Sequence, residues 1–139
     1  MDRGDGGPFG AVVARQGEVI AESWNRVLSN CDPTAHAEIE ALRAAAKYLD
    51  SFSLQGCVLY SSCEPCPMCL AAACWARIEH VYFANTRADA AAIGFDDQFF
   101  YDELSKPARE RSLPTTRLDV PDAGLAMRAW HEDASKICY

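Results

Sequence analysis

The order of apolar runs in this chain points to an α/β fold with a partly parallel sheet. Two short β-type runs come first, then helix, strand, helix and strand in alternation, a pattern that joins parallel neighbours by right-handed crossovers. A length of 139 residues is one domain, spanning residues 1–139. Half of the residues are hydrophobic and 24% are charged, the balance of a globular chain rather than a disordered one.

The elements follow in order. Phe9 to Arg15 is apolar and β-branched, Gln16-Gly17 can turn the chain, and Glu18 to Trp24 alternates polar with apolar, which reads as a β-hairpin. Asp32 is the expected N-cap of a first helix with Pro33 in its first turn. Ala35, Ile39, Leu42, Ala46 and Leu49 recur at steps of four and three and give that helix one apolar face. Cys57 to Ser61, after Gly56, reads as a buried strand. Glu64-Pro65-Cys66-Pro67 opens a second helix running to about Ile78, and His80 to Ala84 is the next strand. Beyond Asn85 the pattern loosens. Short helices are expected over Ala88 to Ile93 and Gln98 to Leu104, a charged loop over Lys106 to Pro114, an edge strand over Arg117 to Val120, and a last helix over Ala123 to Lys136.

Charge and cysteine usage narrow the function. Thirteen Lys and Arg against twenty Asp and Glu leave a net charge of −7, which repels polyphosphates and disfavours general nucleic-acid binding. No apolar run approaches the ~18 residues of a membrane span. The polar, glycine-rich start from Met1 to Gly7 is read as no signal peptide. Seven cysteines is an odd number, and three of them crowd into Cys63, Cys66 and Cys69. A secreted disulfide scaffold would spread its cysteines in pairs, so a reducing, cytoplasmic setting with metal or thiol chemistry is expected.

Two segments carry that chemistry. Cys66 and Cys69, at i and i+3 of a helix start, project from one side and reach one ion, and the positive end of the helix favours thiolates. His36, from the other helix start, supplies a third ligand. One His and two Cys suit Zn²⁺ in tetrahedral geometry with a position left for water. Glu38 lies about 200° around the helix from His36, so it is placed beside that water as a proton carrier rather than as a ligand. The pattern is the H-x-E…P-C-x-x-C arrangement of zinc nucleobase deaminases. Two rivals use the same cysteines. Cys63 as a fourth ligand would close the site into a structural one, and a redox pair of Cys66 and Cys69 would leave His36 and Glu38 idle.

At these residues the chain resembles the cytidine deaminase-like superfamily over nearly its whole length. The likeness is carried by Gly6-Gly7-Pro8-Phe9-Gly10-Ala11-Val12, Asp32-Pro33-Thr34-Ala35-His36-Ala37-Glu38 and Ser62-Cys63-Glu64-Pro65-Cys66-Pro67-Met68-Cys69. Ala92-Ile93-Gly94-Phe95-Asp96-Asp97, Lys106-Pro107-Ala108-Arg109-Glu110-Arg111 and the terminal Tyr139 are similar to the small guanine deaminases. The resemblance implies a three-layer α/β/α sandwich around a five-stranded mixed sheet, here lacking the helix that usually precedes the Gly-Gly-Pro-Phe-Gly segment. It implies zinc on His36, Cys66 and Cys69 with Glu38 as proton shuttle, and a pocket for a small purine. Asn25 and the Ala37 amide would hydrogen-bond the base, Phe9 and Trp75 would wall the pocket, and Tyr139 would close over it. Relatives exchange a C-terminal segment between two subunits, so a homodimer with Tyr139 acting in trans is expected.

Asp97 fits that expectation chemically. A carboxylate only accepts, and guanine presents N1–H beside its 2-amino group. Because the replaceable amine sits on C2, that carbon must face the metal, which leaves Asp97 to select the ring N–H. One of Asp96 and Asp97 can instead cap the helix that follows. The implied reaction is hydrolysis of guanine to xanthine and ammonia. Guanosine, cytosine or tRNA adenosine deamination are the alternatives, and a non-enzymatic zinc module would have no use for Glu38.

Overall fold

A computed structural model describes residues 4–138. Its first two strands, β1 (Gly10–Arg15) and β2 (Glu18–Trp24), form the expected antiparallel hairpin. Gln16 and Gly17 both take positive φ, +52° and +85°, which matches the right-handed twist of the flanking strands and favours glycine at the second position. A four-residue helix α1 (Val27–Asn30) follows, and Cys31 closes it in the left-handed conformation.

The longer helix α2 spans Ala37–Tyr48, so it begins four residues later than Asp32 as N-cap would place it. The Asp32 carboxylate is already committed, accepting the Thr34 amide at 2.8 Å and the Thr34 hydroxyl at 2.7 Å in a local turn. His36 becomes the residue at the helix boundary, with extended ψ of 156°. Strand β3 (Cys57–Cys63) alternates strictly, with Cys57, Leu59, Ser61 and Cys63 inward. Helix α3 (Pro67–Trp75) then crosses to β4 (His80–Asn85), which pairs parallel with β3. Sheet order is β2-β1-β3-β4.

The core lies on one face of this sheet. Val13, Cys57 and Leu59 pack there against Ala37, Ala41, Leu42 and Ala45 of α2 and Ala73 of α3. On the opposite face Tyr60 and Tyr82 stack with ring centroids 5.0 Å apart and remain about half exposed. After β4 come α4 (Arg87–Ala92), α5 (Asp97–Ser105), a single 3₁₀ turn at Ala108–Glu110, and α6 (Leu125–Glu132).

Two expectations need correction. The sheet has four strands among the described residues, not five, because Arg117 to Val120 is irregular. That segment is flanked by Pro114 and Pro121, neither of which can donate a backbone N–H to a ladder. The last helix is also shorter than expected and packs little: Leu125, Met127 and Trp130 are each at least half exposed. Among the described residues no helix is long and apolar enough to cross a membrane.

Candidate active site

The amino ends of α2 and α3 meet over the end of β3, and the chemistry gathers there. Each helix is entered through a residue with extended backbone, His36 for α2 and Cys66 for α3, and Pro67 occupies the first position of α3. His36 Nδ1 lies 3.6 Å from Cys66 Sγ and 3.6 Å from Cys69 Sγ. An ion at ~2.3 Å from sulfur and ~2.0–2.1 Å from nitrogen in tetrahedral geometry sets the N···S separation at about 3.6 Å. The three side chains therefore fit Zn²⁺ as they stand. They form one group within 4.8 Å of one another.

Cys63 is not in that group. Its thiol donates to the Thr86 carbonyl at 3.4 Å, so it closes no fourth ligand position. The three groups perturb one another. Cys66 is pulled down to about 4, chiefly by the hydrogen bond from Cys69 and then by that from His36. Cys69 is pushed far above the ordinary thiol range, first by its side-chain contact with Cys66, then by burial and the Glu38 charge. His36 is raised, mainly by its bond to Cys66.

Glu38, on the first turn of α2, is 6% exposed. Its Oε1 accepts the Ser61 hydroxyl at 2.7 Å and its Oε2 accepts the Cys69 thiol at 3.4 Å. The carboxylate thus lies beside the sulfurs, fixed from below by β3. Sequence reasoning did not find Ser61. The alternation along β3 was the available signal, since a serine in register with Cys57 and Leu59 points into the core, where a hydroxyl needs a partner.

A cavity of about 300 Å³ opens above this centre, and Phe9, Asn25, His36, Glu38, Cys66 and Asp97 all line it. Asn25 is buried, and its Oδ1 accepts the amides of Gly7 at 3.3 Å and Val27 at 3.2 Å. What it has to offer a ligand is therefore the Nδ2 donor pair. That packing depends on Gly6, where a Cβ would fall 2.1 Å from Asn25 Oδ1 and 2.8 Å from its backbone oxygen. Phe9 meets Phe95 edge to face at 4.8 Å. Asp96 is the helix cap of α5, accepting the Phe99 amide at 3.2 Å, which leaves Asp97 on the cavity wall. Burial, then the nearby Cys66 charge, raise the Asp97 carboxyl. Ala37 is fully buried and, as the first residue of α2, has an amide without an intrahelical acceptor.

Trp75 does not line this cavity. It is the last residue of α3, the helix runs away from the site, and the side chain is 63% exposed. Tyr139 lies outside the described residues. A second, more apolar hollow of about 650 Å³ adjoins the first, sharing Pro33, His36 and Cys66 with it and walled by Met68, Phe99 and Phe100.

Residues 2–85 match the family described as the cytidine and deoxycytidylate deaminase zinc-binding region. The chain is 48% identical to a guanine deaminase of Bacillus subtilis over 139 residues, covering all of this chain and 89% of that one. The X-ray structure of that protein superposes with a TM-score of 0.95, over 99% of this chain and 88% of that chain. A structure of guanine deaminase from Nitrosomonas europaea is 39% identical with a TM-score of 0.65, over 68% of this chain and 56% of that one. A tRNA-specific adenosine deaminase of Aquifex aeolicus is 44% identical over 77 residues, 55% of this chain and 51% of that protein.

Proposed function

From the premise that the chain belongs to the cytidine and deoxycytidylate deaminase zinc-binding family, we propose that it hydrolyses guanine to xanthine and ammonia. The observation that carries guanine is that an acceptor and a donor, Asp97 and Asn25, both line the cavity beside the metal trio. Asp97 offers an acceptor to N1–H, and Asn25 offers donors to the neighbouring O6. Adenine presents an acceptor at N1, where this wall also accepts.

His36, Cys66 and Cys69 hold the zinc, which when bound supplies Lewis acidity toward the attacking water. Glu38 carries the protons. Ser61 occupies Oε1, so traffic runs through Oε2, on the side of the sulfurs. Once Cys69 gives up its thiol proton to become a ligand, Oε2 loses its donor and is free to accept. It takes a proton from the water that adds to C2 and returns it to the amine nitrogen, which leaves as ammonia. Asp97 keeps the N1–H edge in place, the Ala37 amide, left without an intrahelical acceptor, donates to a ring acceptor, and Phe9 and Phe95 wall the base.

The same reading makes the protein a single-domain cytoplasmic enzyme of purine metabolism with a three-layer sandwich, acting as a homodimer that exchanges its C-terminal segment. All seven thiols are free, in keeping with a reducing compartment. Leu113, Leu118 and Met127 are each at least three-quarters exposed, and the apolar hollow beside the site is of a size to take a partner's segment carrying Tyr139. The full chain is expected to run as a dimer by light scattering; a monomer with full activity contradicts the exchange.

The reaction is tested by ammonia release from zinc-quantified protein with guanine, guanosine, cytosine and adenine. Guanine alone should react, giving xanthine and ammonia one to one. Turnover of guanosine without guanine would overturn the base assignment, and no ammonia from any of the four would overturn the activity.

A further inference from the structure

Asp97 is brought to the cavity by α5, a helix that burial alone holds weakly. Phe99, Phe100 and Leu104 of α5 are 43%, 51% and 59% exposed. Yet a hydrogen-bonding acceptor works on a base edge only if its position is fixed to a fraction of an ångström. What fixes it is a polar brace on the far side of the metal loop. Tyr101 sits one turn after Asp97, at i+4 on the same side of α5. Its hydroxyl donates to the Pro65 carbonyl at 2.8 Å, the carbonyl of the peptide that enters Cys66.

The ring of Tyr101 is held in turn. The Arg87 guanidinium lies over it, 4.0 Å from the centroid. Arg87 is clamped by Glu64, the residue before Pro65: Nη2 reaches Oε1 at 2.9 Å, while Nε and the backbone amide reach Oε2 at 3.2 Å and 3.1 Å. This is a two-pronged arginine–carboxylate pair, only partly open to water, with directional as well as electrostatic strength. Glu64, Arg87 and Tyr101 therefore close a ring of contacts from the metal loop through α4 to α5 and back to the metal loop. Asp97 stands on that ring, one helical turn of ~5.4 Å from Tyr101.

We propose that Tyr101, braced by Arg87 and Glu64, is a positioning residue for base selection, setting the distance between Asp97 and the metal loop through its hydroxyl on Pro65. The proposal rests on guanine being the substrate. It extends that reading by assigning selectivity to residues that touch neither base nor metal. Displacement of a positioned group by ~1 Å costs on the order of 10²-fold, and the loss of one hydroxyl tether should cost less than that.

The test uses the zinc-loaded full chain and Tyr101→Phe, which keeps the ring under Arg87 and removes only the hydroxyl. KM for guanine is expected to rise about tenfold while kcat changes less than threefold and one zinc per chain is retained. Arg87→Lys, which loses both the fork and the stack, should move KM in the same direction. The decisive readout is a cycle with Asp97→Asn, measured as the Kd of 8-azaguanine in the zinc-loaded Glu38→Gln background, where the 2-amino group of the probe is not hydrolysed. Tyr101→Phe should weaken binding about tenfold beside Asp97 and less than twofold beside Asn. Equal weakening in both backgrounds, or an unchanged KM in an active enzyme, overturns the role of Tyr101. A wild-type protein that turns over no guanine overturns instead the substrate reading beneath it.

Discussion

Ser61→Ala isolates the orientation of Glu38 from the rest of the chemistry. Ser61 donates one hydrogen bond, at 2.7 Å, to a carboxylate that is 6% exposed, and it does not line the active-site cavity. Hydrogen bonds to charged groups are worth about 1.5–3 kcal/mol. At 1.4 kcal/mol per factor of ten, that converts to a roughly 10- to 150-fold loss of rate if the full bond energy goes into holding the carboxylate for proton transfer. The loss should fall on kcat, because guanine meets Asp97 and Asn25 rather than Ser61. The buried Oε1 left without a donor should also lower unfolding stability by about 1–3 kcal/mol. Xanthine formation followed by absorbance, with zinc quantified and urea unfolding run on the same sample, measures all three quantities. A variant with one zinc per chain and a kcat within threefold of wild type would refute the claim that Ser61 orients the proton carrier.

Other predictions follow from the trio and from the loop beyond α5. Cys66→Ala removes one of three ligands and should drop zinc to well below one per chain after dialysis, with guanine turnover lost; full zinc with full turnover would exclude Cys66 as a ligand. Glu103 is held at about 2, first by the Lys106 ammonium and then by the Ser112 hydroxyl and amide at 2.7 Å and 2.6 Å. An unperturbed glutamate titrates near 4.5, so the stabilisation is complete above that pH and is lost as pH falls toward 2. The gap in urea midpoint between wild type and Glu103→Gln should therefore be widest near neutrality and close by about pH 2, and a gap independent of pH would contradict it.

Where local signals agreed, the fold was legible in the sequence. The hairpin around Gln16-Gly17, the β3 run, the proline-marked start of α3 and the short helices after Asn85 all appear within a few residues of expectation. The gathering of His36, Cys66 and Cys69 with Glu38 beside them was legible because spacing on a helix start dictates where side chains project. The failures have separate physical causes. Asp32 was read as a helix cap because aspartate serves equally in caps and in local turns, and here Thr34 wins it. Trp75 was placed by its helix rather than by its distance from the helix start, and six residues beyond Cys69 is more than a turn and a half away. The β3 alternation turns Ser61 inward but does not name Glu38, 23 residues away, as its partner, and Tyr101 gives no local signal because its contact with Pro65 spans 36 residues. The strand expected over Arg117 to Val120 is absent from the sheet among the described residues, because a strand needs a ladder partner that local sequence does not specify.

The central claim is that a buried carboxylate beside a His–Cys–Cys zinc centre moves the protons in guanine hydrolysis. Glu38→Gln tests it most directly, because the amide keeps the shape and can still accept from Ser61 but cannot carry a proton. Zinc content and xanthine formation are measured on one preparation. One zinc per chain is expected, with turnover lowered by at least ~10²-fold, the scale of general acid–base catalysis. Zinc retained with turnover within tenfold of wild type would contradict it.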